Sequence, residues 1–567
     1  MQKLIRSLFI VILFTFSLLA QKNFTLEQVI LESESLSPKR LSQLQWVPDT
    51  DAFTYVKSVD EETNLIKENS SSEGKEILLT LTKLNDILEG KGLTIRKLFP
   101  DIKWVSSSTI QFWNYSSLVD YNIINNSLTI INDIANNGTN ADYNDPHKIA
   151  YTIDNNLYIA VNSKQIQITK DEDIAIVNGQ TVHRNEFGIK KGIFWSPKNN
   201  YLAFYRKDES MVTDYPIIDI SKKPAVIENI KYPMAGMTSE EVTVGVYDLK
   251  TNKTVWLKTG EPKDHYLPGV TWSPDEKYIY IAELNRDQSH MNLTKYNARN
   301  GEMIKILFEE SSDKYVEPMS GLIFFEDDPD MFIWTTRKDG WKHLYLYDAQ
   351  GAKIKQLTNG EWEVTDFDGL STVGYNIFFT ATEQSPIERH YYKVDFDRYK
   401  MTRITNGAGT HKVIRNEKGT MFLDVFSNVD IPYEVSVLNK DGEKLRTVYT
   451  APNPFDGYNA GQTEIFTLKS SDGYDLYCRK ILPSNFDENK KYPVLVYVYG
   501  GPHVQRITNH WLGGTKEVLW LNYMAQNGYI VFTLDNRGSS NRGLEFEQVT
   551  FRHLGTKEIE DQLVGVN

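Results

Sequence analysis

The sequence predicts a β-propeller joined to the opening of an α/β fold, and three observations carry that expectation. From about Gln45 to Thr450 the chain is a succession of short aromatic strands separated by turns. One turn design recurs along it. Near Glu464 the pattern changes to continuous apolar runs on either side of a helical stretch, as a parallel sheet with covered faces would show.

Taken in order, the chain starts Met-Gln-Lys-Leu-Ile-Arg and continues with an apolar run from Leu8 to Ala20. A charged n-region before an apolar h-region reads as an export signal, with cleavage expected after Ala20. The run is shorter than the roughly 20 residues of a spanning helix. An uncleaved signal acting as a membrane anchor is the alternative. Residues 21–44 then lead into the propeller, expected over 45–455.

Within it, "WVPDTDAFTYV" from Trp46, "NDPHKIAYT" from Asn144, "FWSPKNNYLAFYR" from Phe194 and "TWSPDEKYIYIAEL" from Thr271 share one grammar. Proline presets φ for a turn, Asp or Lys-Asn-Asn forms the tip, and an alternating aromatic strand follows. Segments beginning at Met331, Tyr375 and Thr420 repeat the idea at close to the roughly 40–50-residue period of propeller blades. A pair of β-sandwiches would also be built of such strands.

Residues 456–567 are expected to form a second domain. "EIFTLKSSDGYDLYCRKILP" reads as a hairpin turning at Asp472-Gly473. "YPVLVYVYGG" reads as a strand covered on both faces, "WLNYMAQNGY" as a helix and "IVFTLDNRG" as a second strand. The last segment, "LEFEQVTFRHLGTKEIEDQLVGVN", looks helical.

Composition limits the functional classes. The 567 residues are 40% hydrophobic and 24% charged, with 62 basic against 75 acidic residues for a net charge of −13. With no basic stripe, nucleic acid is not an expected partner. Cys478 is the single cysteine, so no internal disulfide and no cysteine metal cluster can form. No residue pattern calls for a metal or a cofactor.

The stretches "KKYPVLVYVYGGPHVQ", "LDNRGSSNRG" and "LGTKEIEDQ" resemble the dipeptidyl peptidase IV branch of the prolyl oligopeptidase family of serine peptidases, and the resemblance runs from about Phe24 to the last residue. It implies an eight-bladed propeller over an α/β-hydrolase domain that removes dipeptides, preferably after proline or alanine, from peptides with a free N-terminus. It places Tyr499 at the tyrosine whose hydroxyl helps form the oxyanion hole. A phenol fixed at a strand end is a suitable donor for charge developing on a carbonyl oxygen. A core tyrosine is the alternative role.

The resemblance also implies a pair of glutamates in "HRNEFGIKKGIFWSP" that grip the substrate's α-ammonium. Glu186 stands at the second and Asn185 replaces the first. A carboxylate there would refuse a blocked N-terminus and so measure two residues to the cleaved bond. Asn185 accepts a hydrogen bond but supplies no charge, which loosens that ruler. The plain alternative for Glu186 is a solvated loop acid.

Weaker candidates read as structural. Asp535 and Arg537 in "LDNRGSSNRG" are expected in a turn. His503 and His510 are expected to be solvent-exposed or packed. Arg337, Lys342 and His343 in "RKDGWKHLYLYD" are expected to sit around a hairpin turn. No Gly-x-Ser-x-Gly elbow occurs, and in "RGSSNRG" Arg542 stands where the second glycine should. The reading is therefore an exported enzyme whose triad lies beyond residue 567, the hydrolase domain being cut short and this chain inactive. Its alternatives are another branch of the family, such as an acylaminoacyl peptidase or an oligopeptidase, or a non-enzymatic peptide-binding propeller. A homodimer is possible within it.

Overall fold

The computed structural model describes residues 21–319, 321–325, 328–372 and 374–567. The expected leader and its cleavage point after Ala20 lie outside the described residues. Eight antiparallel sheets follow one another, over residues 42–80, 102–133, 139–167, 176–256, 271–311, 323–356, 364–403 and 410–450. Seven have four strands. The fourth gains a short strand, Ile193–Trp195, and sends out a two-stranded hairpin, Asp214–Asp219 with Val226–Lys231.

Each neighbouring pair of blades shares one apolar cluster, such as Ile110 with Leu65 between blades 1 and 2 or Tyr392 with Ile333 between blades 6 and 7. Blade 8 closes on blade 1 in the same way, through Val435 and Leu423 against Phe53 and Leu41. Eight sheets whose last packs on the first form a propeller ring and exclude two sandwiches.

The recurring turn explains itself in this setting. The indole N–H of Trp195 donates to the Asp142 carbonyl of blade 3 at 2.9 Å, and that of Trp272 to the Phe194 carbonyl of blade 4 at 3.0 Å. Trp46 donates to the Ile414 carbonyl of blade 8 at 2.8 Å, tying the ring shut without exchanging a strand. The serine after each of the two WSP tryptophans closes its turn: Ser196 Oγ accepts from the Tyr201 N–H and Ser273 Oγ from the Tyr278 N–H, both at 3.0 Å.

Helix α1 (Leu26–Ile30) precedes blade 1, and helix α2 (Leu81–Gly90) follows it and buries Leu84 and Leu88 between blades 1 and 2. The segment before blade 1 docks on the second domain. Phe24, Val29 and Leu36 pack with Phe455, Trp511 and Leu519, the last from helix α3 (Glu517–Gln526), and the Phe24 N–H donates to Gln526 Oε1 at 2.6 Å.

The second domain holds a four-stranded sheet in the order 462–469, 475–482, 530–534, 494–496. The expected hairpin is present, with Gly473 at φ 90°, and Val494–Val496 runs parallel to Ile530–Leu534. The strand in "YPVLVYVYGG" differs from the expectation. It spans only Val494–Val496 and forms a sheet edge, so although Leu495 and Val496 pack on clusters at opposite faces it is not a central strand, and Val494 is exposed. The final segment is not one helix: α4 (Leu544–Glu547) and α5 (Lys557–Val566) are parted by left-handed Arg552 and Gly555. No helix among the described residues is long and apolar enough to cross a membrane.

Candidate active site

Between the propeller and the second domain lies a cavity of about 900 Å³, within the range of ligand sites. Blades 4 to 7 supply one wall, including Phe187, Thr271, Arg337 and Glu363. Loops of the α/β domain supply the other through His503, Asn541 and Glu547.

The blade 4 part of the wall comes from the loop between Ile176–Asn178 and Ile193–Trp195. His183, Arg184, Asn185 and Phe187 all adopt left-handed backbone, at φ 53°, 53°, 65° and 53°. Such a run of non-glycine residues is unfavourable and persists only where surrounding contacts enforce it. Here they do. The His183 N–H donates to Glu240 Oε1 at 2.6 Å, and His183 Nε2 accepts from the Leu267 N–H at 3.2 Å. Burial holds the His183 imidazole below its ordinary pKa, which keeps that nitrogen an acceptor. Phe187 packs on Tyr266 and Arg184 lies over Tyr232. Gly188, at φ 72°, passes so close to the chain that a Cβ would stand 2.2 Å from the Met319 carbonyl oxygen.

With both ends of the loop fixed, Asn185 and Glu186 project outward. They are exposed, and neither side chain has a hydrogen-bond or ion-pair partner among the described residues. Glu186 immediately precedes Phe187 and Gly188, which line the cavity.

Tyr499 lies on the loop after Val494–Val496. The Tyr497 N–H still pairs with the Phe532 carbonyl at 2.8 Å, and the chain then turns through Gly500 at φ 77°. Tyr499 is 51% exposed, its hydroxyl has no partner among the described residues, and the Arg506 guanidinium lies 5.5 Å from its ring. It is therefore no core tyrosine. It does not itself line the cavity, although its loop reaches the wall at His503. The structure thus brings the Glu186 loop and His503 to one cavity and leaves Tyr499 outside the lining.

Two groups of charged residues lie where they were expected and gain partners that the sequence did not show. The strands Asp328–Thr336 and His343–Asp348 do form a hairpin, but its turn points inward. Arg337 meets Glu317 at 3.4 Å, Glu363 at 3.2 Å and, from the other domain, Glu547 at 2.5 Å. His503 is exposed and packs on Tyr315, as expected, and its ring also stands 3.6 Å from both Glu317 and Glu547. Burial raises the Glu317 carboxyl, while His503 and Arg337 oppose that shift. Glu317, His503 and Glu547 have ligand-type atoms within 4.8 Å of one another. Arg337 pairs with both carboxylates and would repel a metal ion, so the cluster is an ion-pair network across the domain interface. Its carboxylates come from distant parts of the chain, which is why sequence reasoning missed it.

Other candidates are structural. Asp535 accepts the backbone N–H groups of Arg506 and Ile507, each at 2.8 Å, and burial pushes its carboxyl up to about 6. Buried Arg537 grips Asp561 of α5, with Nη2 to Oδ1 at 2.6 Å. His343 is buried against Thr358 and the Gly360 carbonyl, and His510 is half-buried with its Nδ1 2.7 Å from the Trp511 carbonyl.

A propeller set over the loops of an α/β sheet, with a ligand-sized cavity between them, defines a propeller-capped α/β protein. Comparison with known proteins narrows this. Family models match at residues 104–433, for the dipeptidyl peptidase IV (DPP IV) N-terminal region, and at residues 518–567, for the prolyl oligopeptidase family. The chain belongs to the dipeptidyl peptidase IV branch of the prolyl oligopeptidase family of serine peptidases.

It is 26% identical over 560 residues to dipeptidyl peptidase 4 of Trichophyton rubrum, covering 93% of this chain and 71% of that one. A solved structure described as a dipeptidyl aminopeptidase IV of Bacteroides ovatus is 39% identical and superposes with a TM-score of 0.87, over 96% of this chain and 79% of that one. Porphyromonas gingivalis dipeptidyl peptidase 4, at 24% identity and a TM-score of 0.80 over 96% of this chain and 78% of that one, shares the fold.

Proposed function

We propose that the cavity receives peptides with a free N-terminus for release of Xaa-Pro or Xaa-Ala dipeptides, a reading in keeping with relatives that are named dipeptidyl peptidases. One observation carries this reading. Glu186 is a carboxylate without a partner among the described residues, next to cavity-lining Phe187, on a strained loop anchored through His183 and Phe187. Such a group is prepared for a cation, and the α-ammonium of a peptide is the cation at hand. Asn185 beside it accepts a hydrogen bond from the same ammonium. Tyr499, with its hydroxyl free, donates to the oxyanion that forms at the second residue's carbonyl.

The 567 residues contain no serine elbow, so they supply substrate binding and oxyanion stabilisation but no nucleophile. The charged start and the apolar run from Leu8 to Ala20 support export by a signal peptide. The blade 4 hairpin exposes Ile218 and Ile227, a surface suited to a second copy of the chain.

The binding reading is tested by calorimetry with an Ala-Pro-Ala peptide and its N-acetylated form. The parent is expected to favour the free amine by ten-fold or more, and Glu186→Gln to remove that preference, since a charge-assisted contact contributes about 1.5–3 kcal/mol. Equal affinity for both peptides in the parent overturns the assignment.

A further inference from the structure

The cavity wall holds a second pair of unsatisfied groups. Glu363, 1% exposed, accepts from Arg337 at Oε2, but its Oε1 is buried without a partner among the described residues. Lys342 faces the same cavity, and its ammonium forms no ion pair or hydrogen bond among the described residues. The two residues are held side by side, the Val364 N–H donating to the Lys342 carbonyl at 2.8 Å, yet their charged ends do not meet. Lys342 is half-buried, and burial and the nearby Arg337 depress its ammonium while Glu363 and Glu317 oppose that shift.

A buried carboxylate oxygen left unpaired is unfavourable, and a ligand that satisfies it while meeting the adjacent Lys342 ammonium must offer a donor and an acceptor together. A carboxylate placed on Lys342 would face Glu363. An ammonium placed on Glu363 would face Lys342 and Arg337. A neutral peptide group meets both, its C=O accepting from Lys342 and its N–H donating to Glu363, without adding charge.

We propose that Lys342 and Glu363 Oε1 together dock a peptide group in the part of the substrate that follows the cleaved bond. This rests on Glu186 holding the N-terminus. Glu186 belongs to blade 4, Lys342 and Glu363 to blades 6 and 7, and Gly269–Thr271 of blade 5 line the wall between them. A dipeptide reaches roughly 7 Å from its ammonium, so groups that far around the ring meet the third residue or later ones. The pair makes Lys342 a specificity residue that favours longer peptides.

Calorimetry of the 567-residue chain with Ala-Pro and Ala-Pro-Ala-Ala-Ala tests this. The pentapeptide is expected to bind about ten-fold tighter or more. Lys342→Met, which keeps the stem, is expected to erase that gain while leaving the dipeptide constant within two-fold and the thermal midpoint unchanged. A pentapeptide N-methylated at its third and fourth amides is expected to lose the gain as well, which separates hydrogen bonding from mere length. No gain in the parent, a gain retained in Lys342→Met, or equal weakening of both peptides overturns the proposal. An N-acetylated pentapeptide that binds as tightly as the free one defeats the Glu186 assignment alone, and the Lys342 comparison still decides this one.

Discussion

Replacing Arg337 by methionine removes the cation around which the domain interface is organised. Three carboxylates then lose their partner, and two cannot rehydrate in place, the side chains of Glu363 and Glu547 being 2% and 0% exposed. Breaking a buried ion pair from one side destabilises by about 3–5 kcal/mol. His503, still 3.6 Å from Glu317 and Glu547, compensates part of the loss, which favours the lower end. At about 2.1 cal/mol/K per residue, a propeller spanning residues 42–450 shifts by about 1 °C per kcal/mol, so the midpoint should fall by roughly 3–4 °C.

The sign of the pH dependence follows from Glu317. Its folded pKa is already raised, so its stabilising contribution is present below the unfolded value of about 4.3 and is lost as pH rises through the folded value. Without Arg337 that pKa rises further, so the deficit is largest at pH 7.5 and narrows towards pH 5. Calorimetric scans of parent and Arg337→Met at both pH values provide the assay. A midpoint within 1 °C of the parent at pH 7.5, or a gap independent of pH, refutes the reasoning.

Tyr499→Phe should leave the thermal midpoint within about 1 °C, because the phenol is half-exposed and its hydroxyl has no partner among the described residues. In a catalytically complete form of the enzyme it should lower kcat by roughly 10²–10³ with little change in KM. A midpoint several degrees lower with kcat within two-fold would remove Tyr499 from the mechanism. The 567-residue chain should not hydrolyse a Gly-Pro chromogenic amide above background. Turnover that survives purification to homogeneity and treatment with a serine-directed phosphonate would contradict that.

What the sequence made legible is what local chemistry determines. A proline-preset turn after a tryptophan announces a blade, and the structure shows why, since each WSP indole is bonded to the preceding blade and each serine closes its own turn. Asp472-Gly473 marked its hairpin for the same reason. The interface network was hidden because Arg337 and Glu547 are 210 positions apart and only the packing of two domains joins them. Docking of Phe24 on Gln526 spans 502 positions and carries no local signal. The apolar run around Val494 looked like a buried central strand because apolar composition reports hydrophobicity and not which neighbours a sheet provides. Glu186 and Asn185 were placed by resemblance. The strained backbone that presents them, left-handed at four non-glycine residues, has no sequence signature.

Glu186 is expected to take the N-terminus of a peptide whose second carbonyl turns towards Tyr499. A crystal structure of the chain bound to Ile-Pro-Ile tests it most directly. The account expects the α-ammonium at hydrogen-bond distance, about 2.7–3.2 Å, from the Glu186 carboxylate, with the proline carbonyl oxygen facing the Tyr499 hydroxyl. A peptide bound in the cavity with its N-terminus directed away from Glu186 would contradict it.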